Sequence, residues 1–167
     1  MKANVIIRAS NDADIPTITA IYRHHVLEGT GTFEIEPPDE TEFAHRRQDL
    51  VQRGFPWIVA EAEGAVVGYA YAGPFRAREA YRFTLEDSVY VHPQFVGRGI
   101  GGALLMELIE ICRRGGFRQI IAVIGDSSNQ GSIRVHQTCG FQHTGVLMNA
   151  GLKFDRWLDV VIMQLEL

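Results

Sequence analysis

Apolar residues recur along this chain with two different periods, and the switches between them mark out its elements. Ser88, Val89, Tyr90 and Val91 alternate and are β-branched or aromatic, as a pleated, partly buried strand requires, and Pro93 ends the run. Glycines follow at 97, 99, 101 and 102. From Ala103 to Arg114 the apolar positions 104, 105, 108, 109 and 112 form a helical stripe. Gln119 to Ile124 then reads as a short strand buried on both faces. The strand, helix, strand order from 88 to 124 is by default a right-handed parallel crossover.

Upstream, Asn4 to Ala9 reads as an opening strand, and Ser10-Asn11-Asp12 supplies helix caps ahead of Pro16. The helix is expected to reach about Glu28 on the stripe Ile15, Ile18, Tyr22 and Val26. His24 and His25 are expected to be solvated or capping residues at its negative end. Gly29 to Ile35 reads as a turn and a short extended segment. Pro37-Pro38-Asp39 breaks the chain and caps a second helix from about Glu40 to Arg53, stopped by Gly54. Trp57 to Glu61 and Ala65 to Gly73 read as a hairpin through Glu63-Gly64. Downstream, a helix begins near Ser128 or Asn129 and stops at Gly140, with Asn129, Ser132, Ile133 and His136 on one face. Phe141 to Leu147 and Trp157 to Leu167 read as closing strands around an Asn149-Ala150-Gly151 turn.

The 167 residues suffice for one domain, expected to span 1–167. A net charge of −4, from 16 Lys plus Arg against 20 Asp plus Glu, argues against a general nucleic-acid surface. No apolar run approaches the roughly 20 residues of a membrane helix, and the N-terminus lacks a signal-peptide core, so a cytosolic protein without a membrane partner is expected. Cys112 and Cys139 show neither a disulfide framework nor metal-ligand spacing. Both are expected reduced and buried, with no metal bound. Cys139 lies three residues after His136, a spacing that arises readily by accident and only weakly suggests a catalytic pair.

The glycine turn carries more chemistry. A helix start offers unpaired N–H groups and positive potential, and glycine lets an anion approach closely. A diphosphate fits such a place, and Arg98 adds a charged donor. On the turn alone, glycine serving only tight packing is about equally well supported. Gly101-Gly102-Ala103 lacks the lysine and hydroxyl of a P-loop, which excludes that reading. A Rossmann fingerprint ranks low, because the turn lies mid-chain and the next strand ends at Ile124-Gly125. Just before Glu86, the segment FRAREAYRF interleaves Arg76, Arg78 and Arg82 with aromatic residues. Guanidinium groups pair with carboxylate or phosphorus oxyanions in a fork, so an anionic substrate group is implied. Phe33, between two helices, reads by itself as core packing.

Val96 to Gly101 resembles motif A of the GNAT superfamily of N-acetyltransferases, whose Gln/Arg-x-x-Gly-x-Gly/Ala pattern cradles the pyrophosphate of acetyl-CoA. Val96 stands where the family prefers Gln or Arg, and Gln94-x-x-Gly97-x-Gly99 offers a second register. AGPFRAREAYRFTLEDSVYVHP, AVIGDSSN, SIRVHQTCGF and GLKFDRWLDVVIMQ together resemble the phosphinothricin and methionine sulfoximine N-acetyltransferase branch, over almost the whole chain. The resemblance implies an α/β fold of the GNAT type: a mixed, mostly antiparallel sheet with one parallel pair around the acetyl-CoA site, flanked by about four helices. It implies acetyl-CoA as cosubstrate and direct transfer to the amine of a small amino-acid-like substrate with an anionic or tetrahedral oxygen group.

By the same resemblance Glu86 is the general base. A backbone N–H among Val89, Tyr90 and Val91 stabilises the thioester oxygen, and Val96, Gly97, Arg98, Gly99, Ile100, Gly101 and Gly102 surround the diphosphate. Asn129 and Ser132 lie along the pantetheine arm, and His136 stands where a proton is returned to the leaving thiolate. Arg76 and Arg78 fix the substrate, Tyr81 and Phe33 frame it, and Lys153 and Trp157 lie near the pocket or a dimer contact. A homodimer is implied. The alternatives are an acetyltransferase for another amino acid, peptide or small amine, and a CoA-binding module without catalysis.

Overall fold

In a computed structural model that describes residues 5–167, one seven-stranded sheet runs β1-β2-β3-β4-β5-β7-β6. Its strands are Val5–Ala9 (β1), Trp57–Ala62 (β2), Ala65–Pro74 (β3), Thr84–Val91 (β4), Gln119–Gly125 (β5), Gln142–Lys153 (β6) and Arg156–Glu166 (β7). The helices are Ile15–Glu28 (α1), Glu40–Gln52 (α2), Ile100–Arg114 (α3) and Gln130–Thr138 (α4). Every neighbouring pair of strands is antiparallel except β4 and β5, which the α3 crossover makes parallel. The mixed sheet with its single parallel pair is as expected. Asn4 lies outside the described residues.

Alternation along the strands assigns one core to each face of the sheet. On β2, Ile58 and Ala60 pack with Leu85, Ile120 and the α3 residues Ile100, Leu104, Leu105 and Leu108. Trp57 and Val59 face the other way, onto Tyr69, Ile15, Ile18 and Ile21 of α1, and Phe43 of α2. Each such buried aliphatic side chain contributes about 1.5–3 kcal/mol relative to exposure. The turn before α1 and the N-terminus of α2 are capped as the sequence suggests, while α1 itself, with Asp14 at its N-cap, has no side-chain cap. Asn11 forms a capping box around the short turn before α1, and Asp39 Oδ1 accepts the N–H of Glu42.

Several boundaries differ from expectation, each for a local reason. Helix α3 begins at Ile100, so Gly101 and Gly102 lie in its first turn; the turn proper is Gly97 to Gly99, with φ of +80° and +83° at the two glycines. Strand β6 does not turn at Asn149-Ala150-Gly151. It pairs Leu147 with Val160 and Gly151 with Leu158, so Met148 to Ala150 bulge opposite Asp159. Asn149 takes φ +51° there, and its N–H donates to Asp159 Oδ1 at 2.9 Å. The hairpin turn is Phe154-Asp155, both with positive φ. Strand β5 is not buried on both faces throughout: Val123 is 38% exposed because its side chain meets a cavity.

Candidate active site

Strands β4 and β5 pair only at Thr84 with Gln119, Leu85 with Ile120 and Glu86 with Ile121. Beyond Glu86 they part, β4 following β3 and β5 following β7. A cavity of about 920 Å³ occupies the resulting fork. The Glu86 side chain therefore sits at the vertex. The far end of β4, at Val91, lies about 17 Å away at the rise of an extended strand, and the glycine turn follows it.

At that far end, Gly99 caps α3 without any side-chain hydrogen bond. The N–H groups of the first turn consequently face the cavity unpaired. A β-carbon at Gly97, Gly99 or Gly102 would meet nothing within 4 Å, so the space over the turn is open. Val96, Gly97, Gly99, Ile100, Gly101 and Gly102 all line the cavity, as do Val89, Tyr90 and Val91. Arg98 does not: its guanidinium stacks 4.6 Å from the Phe95 ring and lies 3.9 Å from Glu63. Val96 lines the cavity and Gln94 does not.

Glu86 is half-buried and lines the fork. Burial pushes its carboxyl pKa up, the adjacent Asp87 charge pushes it further, and Arg76 opposes both. Arg76, Arg78 and Tyr81 lie outside the cavity wall. Their segment, Phe75 to Phe83, runs over the surface with a single 3₁₀ turn. There Arg76 stacks on Phe75 at 5.1 Å and Tyr81 packs edge-on against the same ring. Arg76 acts on the site through its charge.

Phe33 does reach the cavity, and its surroundings explain how a loop residue is held. Its ring packs against Gly125 and Gly151. Thr30 Oγ1 donates to Asp126 Oδ2 at 2.8 Å, and Lys153 Nζ donates to the Thr32 carbonyl at 2.8 Å. Lys153 is a buried cation; burial lowers its pKa, and the Glu34 charge opposes this. Glu34 in turn pairs with Arg46 of α2 and accepts from Tyr22.

Helix α4 brings part of its expected face to the cavity, while Ile133 of that face packs against the core instead. Asn129 Oδ1 is occupied as the cap of this helix, accepting the N–H of Ser132 at 3.3 Å. Asn129, Ser132 and His136 line the wall. His136 is nevertheless buried, with Nε2 2.8 Å from Asp87 Oδ2 and Nδ1 2.8 Å from the Ser132 carbonyl. Neither ring nitrogen is available to Cys139, whose thiol reaches only the Gly102 carbonyl at 3.9 Å, so no Cys–His pair exists. Cys139 is also only half-buried, not buried as expected. Among the described residues no cluster of three or more His, Cys, Asp or Glu could hold a metal ion.

Sequence reasoning passed over several residues of the wall. His25 is not a solvated cap: its Nε2–H donates to the Val91 carbonyl at 2.8 Å, and burial keeps its pKa below the ordinary value against that bond. Asp87, Tyr71, Ser88 and Thr32 also line the cavity. The available signal for Tyr71 and Ser88 was strand alternation, since they pair across β3 and β4. None existed for the loop threonines.

A model of the acetyltransferase (GNAT) family matches residues 18–141. A phosphinothricin N-acetyltransferase of Alcaligenes faecalis is 51% identical over 158 residues, covering 95% of this chain and 80% of that protein. An L-methionine sulfoximine/L-methionine sulfone acetyltransferase of Salmonella typhimurium is 40% identical over 164 residues, covering 96% and 94%. Among solved structures, a GNAT superfamily phosphinothricin acetyltransferase from Sinorhizobium meliloti in complex with AcCoA superposes with a TM-score of 0.95 at 47% identity, over 100% of this chain and 89% of that one.

Proposed function

The chain belongs to the acetyltransferase (GNAT) family, and on that premise we propose that it moves the acetyl group of acetyl-CoA directly to the α-amine of a small amino-acid analogue of the phosphinothricin or methionine sulfoximine type. The observation that carries this reading is the fork itself. A carboxyl with a raised pKa stands at its vertex, and an uncapped helix start over an open glycine turn stands at its mouth. That separation suits a long acyl carrier with a diphosphate at one end and a thioester at the other.

In this reading the first-turn N–H groups of α3 hold the diphosphate, and the free edge of β4 from Val89 to Val91 aligns the arm. Acetyl-CoA supplies the activated acyl group. Glu86 removes a proton from the substrate ammonium, directly or through water, because an ammonium has no lone pair with which to attack. A backbone N–H of β4 stabilises negative charge on the thioester oxygen. Phe33 frames the acceptor, and Arg76 attracts its anionic group by charge from the rim. A simple amine without an anionic group is a cation at neutral pH and would be repelled by that charge.

We also infer a homodimer. Strand β6 is the sheet edge, and Val146, Leu147, Met148, Leu152, Phe154 and Trp157 are exposed along the β6–β7 hairpin. So many apolar side chains on one open edge fit a protein partner. The test of function is thiol release from acetyl-CoA against phosphinothricin, methionine sulfoximine, methionine sulfone, ordinary amino acids and cationic amines. Saturable activity on the first three supports the reading; activity confined to cationic amines would overturn the acceptor class.

A further inference from the structure

Asp87 and His136 form a buried pair whose proton inventory follows from its partners. The Ser132 carbonyl only accepts hydrogen bonds, so Nδ1 of His136 carries a hydrogen. Nε2 lies 2.8 Å from Asp87 Oδ2, and a proton must lie between these two atoms as well. The pair therefore holds one proton more than a neutral imidazole beside a carboxylate, and at 5% and 6% exposure it is shielded from solvent. Burial by itself disfavours the charged ring, but the hydrogen bond and charge of Asp87 outweigh it and raise the pKa. The other titratable groups near Asp87 are Glu86 beside it, Cys112 on α3 and Cys139 after α4. Burial and the Asp87 charge keep both thiols protonated, Cys112 being pushed up to about 12. Phe141 closes the remaining side with its ring edge-on, 4.9 Å from the imidazole.

Both ring nitrogens are thus turned to the protein, and the cavity-facing hydroxyl beside them is that of Ser132, whose Oγ lies 3.5 Å from Nδ1. We propose that Asp87, His136 and Ser132 form a proton line in which Ser132 Oγ–H is the last donor to the leaving CoA thiolate and Asp87 is the positioning residue that keeps His136 protonated. This rests on the acetyl-transfer reading above. As the S–H bond forms, the Ser132 O–H bond breaks, and the His136 Nδ1–H turns from the Ser132 carbonyl, 2.8 Å away, to pass its proton to Oγ at 3.5 Å. The ring is left neutral, with its remaining hydrogen on Nε2 toward ionised Asp87. Solvent water restores the missing proton before the next turnover.

Two measurements test the line. The first is a ¹⁵N imidazole titration of the unliganded protein from about pH 5 to pH 10, in which His136 is expected to keep both nitrogens protonated well above the ordinary value of about 6.5. Asp87→Asn is expected to return it toward that value, and a wild-type ring that is neutral at pH 7.5, or roughly so, overturns the pair without any need of the variant. The second is thiol release. Ser132→Ala is expected to lower kcat roughly 10-fold or more, with the acetyl-CoA KM within about 3-fold and most of the rate recovered by Ser132→Thr. Unchanged kcat in Ser132→Ala removes Ser132 from the line. Should the wild-type protein release no thiol with any amine, the acetyl-transfer reading and the Ser132 step fall together, while the titration still decides the Asp87–His136 pair.

Discussion

The Phe33 ring fills the space that a side chain at position 151 would need: a β-carbon on Gly151 would lie 2.2 Å from its Cε2 and 2.4 Å from its Cδ2. A β-carbon at Gly125 would crowd the same ring at 2.9 Å and the Thr30 carbonyl at 2.4 Å. The ring cannot shift toward either strand without giving up its place on the cavity wall. Gly151→Ala is expected to displace Phe33, raising the amine KM by roughly 10-fold and costing about 1–3 kcal/mol through overpacking. Steady-state kinetics and urea denaturation check this. An unchanged amine KM would take Phe33 out of acceptor binding.

Glu86→Gln should leave acetyl-CoA binding intact and lower turnover by roughly 100-fold or more. The acting form of a base is ionised, so the wild-type rate should fall as pH drops through the carboxyl pKa. That pKa is raised by burial and Asp87, so the fall begins above the ordinary glutamate range. Loss of this acid limb in the variant is the expected result. Full activity of Glu86→Gln at neutral pH would place the base elsewhere.

Arg76 is exposed, yet its charge favours the ionised form of Glu86. Arg76→Ala should move the acid limb of kcat/KM to higher pH and raise the KM of an anionic acceptor, while the acetyl-CoA KM stays put. An effect on acetyl-CoA alone would mean that the charge serves the cofactor.

The His136 titration should also be visible in stability. Its folded pKa lies above the ordinary value of about 6.5, so between the unfolded and folded values the native state binds the extra proton. Stability from this group is complete below about 6.5 and is lost as pH rises through the folded pKa. His25, whose folded pKa is depressed, acts in the opposite sense and below that window. Urea midpoints of the wild type should therefore decline more steeply above neutral pH than those of His136→Gln. Parallel curves would show that the folded ring holds no extra proton.

Met148, on the β6 bulge, is 69% exposed among other apolar side chains. A charge there opposes any apolar partner, so Met148→Glu should shift the mass measured by light scattering from dimer to monomer. A monomeric wild type would remove the dimer.

Much of the fold was legible because its signals are local. The α1 and α3 stripes, the Asn11 and Asp39 caps and the Glu63-Gly64 turn all depend on neighbours a few residues away. The Asn149-Ala150-Gly151 stretch was misread for the same reason. Turn residues and a bulge with positive φ look alike until the partner strand is known, and here Asp159 across the sheet converts the segment into a bulge. The place of the Arg98 side chain was not legible, because a glycine turn predicts where the backbone goes, while the partner of a long side chain, here the Phe95 ring, depends on packing.

By itself the sequence determined the order of elements, the parallel crossover around the glycine turn, and the family, through motifs strung along one chain. Tertiary structure alone decided where β4 leaves β5, and hence that Glu86 stands at the vertex of a cavity. It also set Lys153 against Thr32, His25 against Val91 and Asp87 against His136, partners 121, 66 and 49 residues apart. Local pattern carries backbone propensity over a few residues. A buried polar or charged group instead takes whatever partner the folded chain delivers, because leaving it unpaired costs more than any local preference returns.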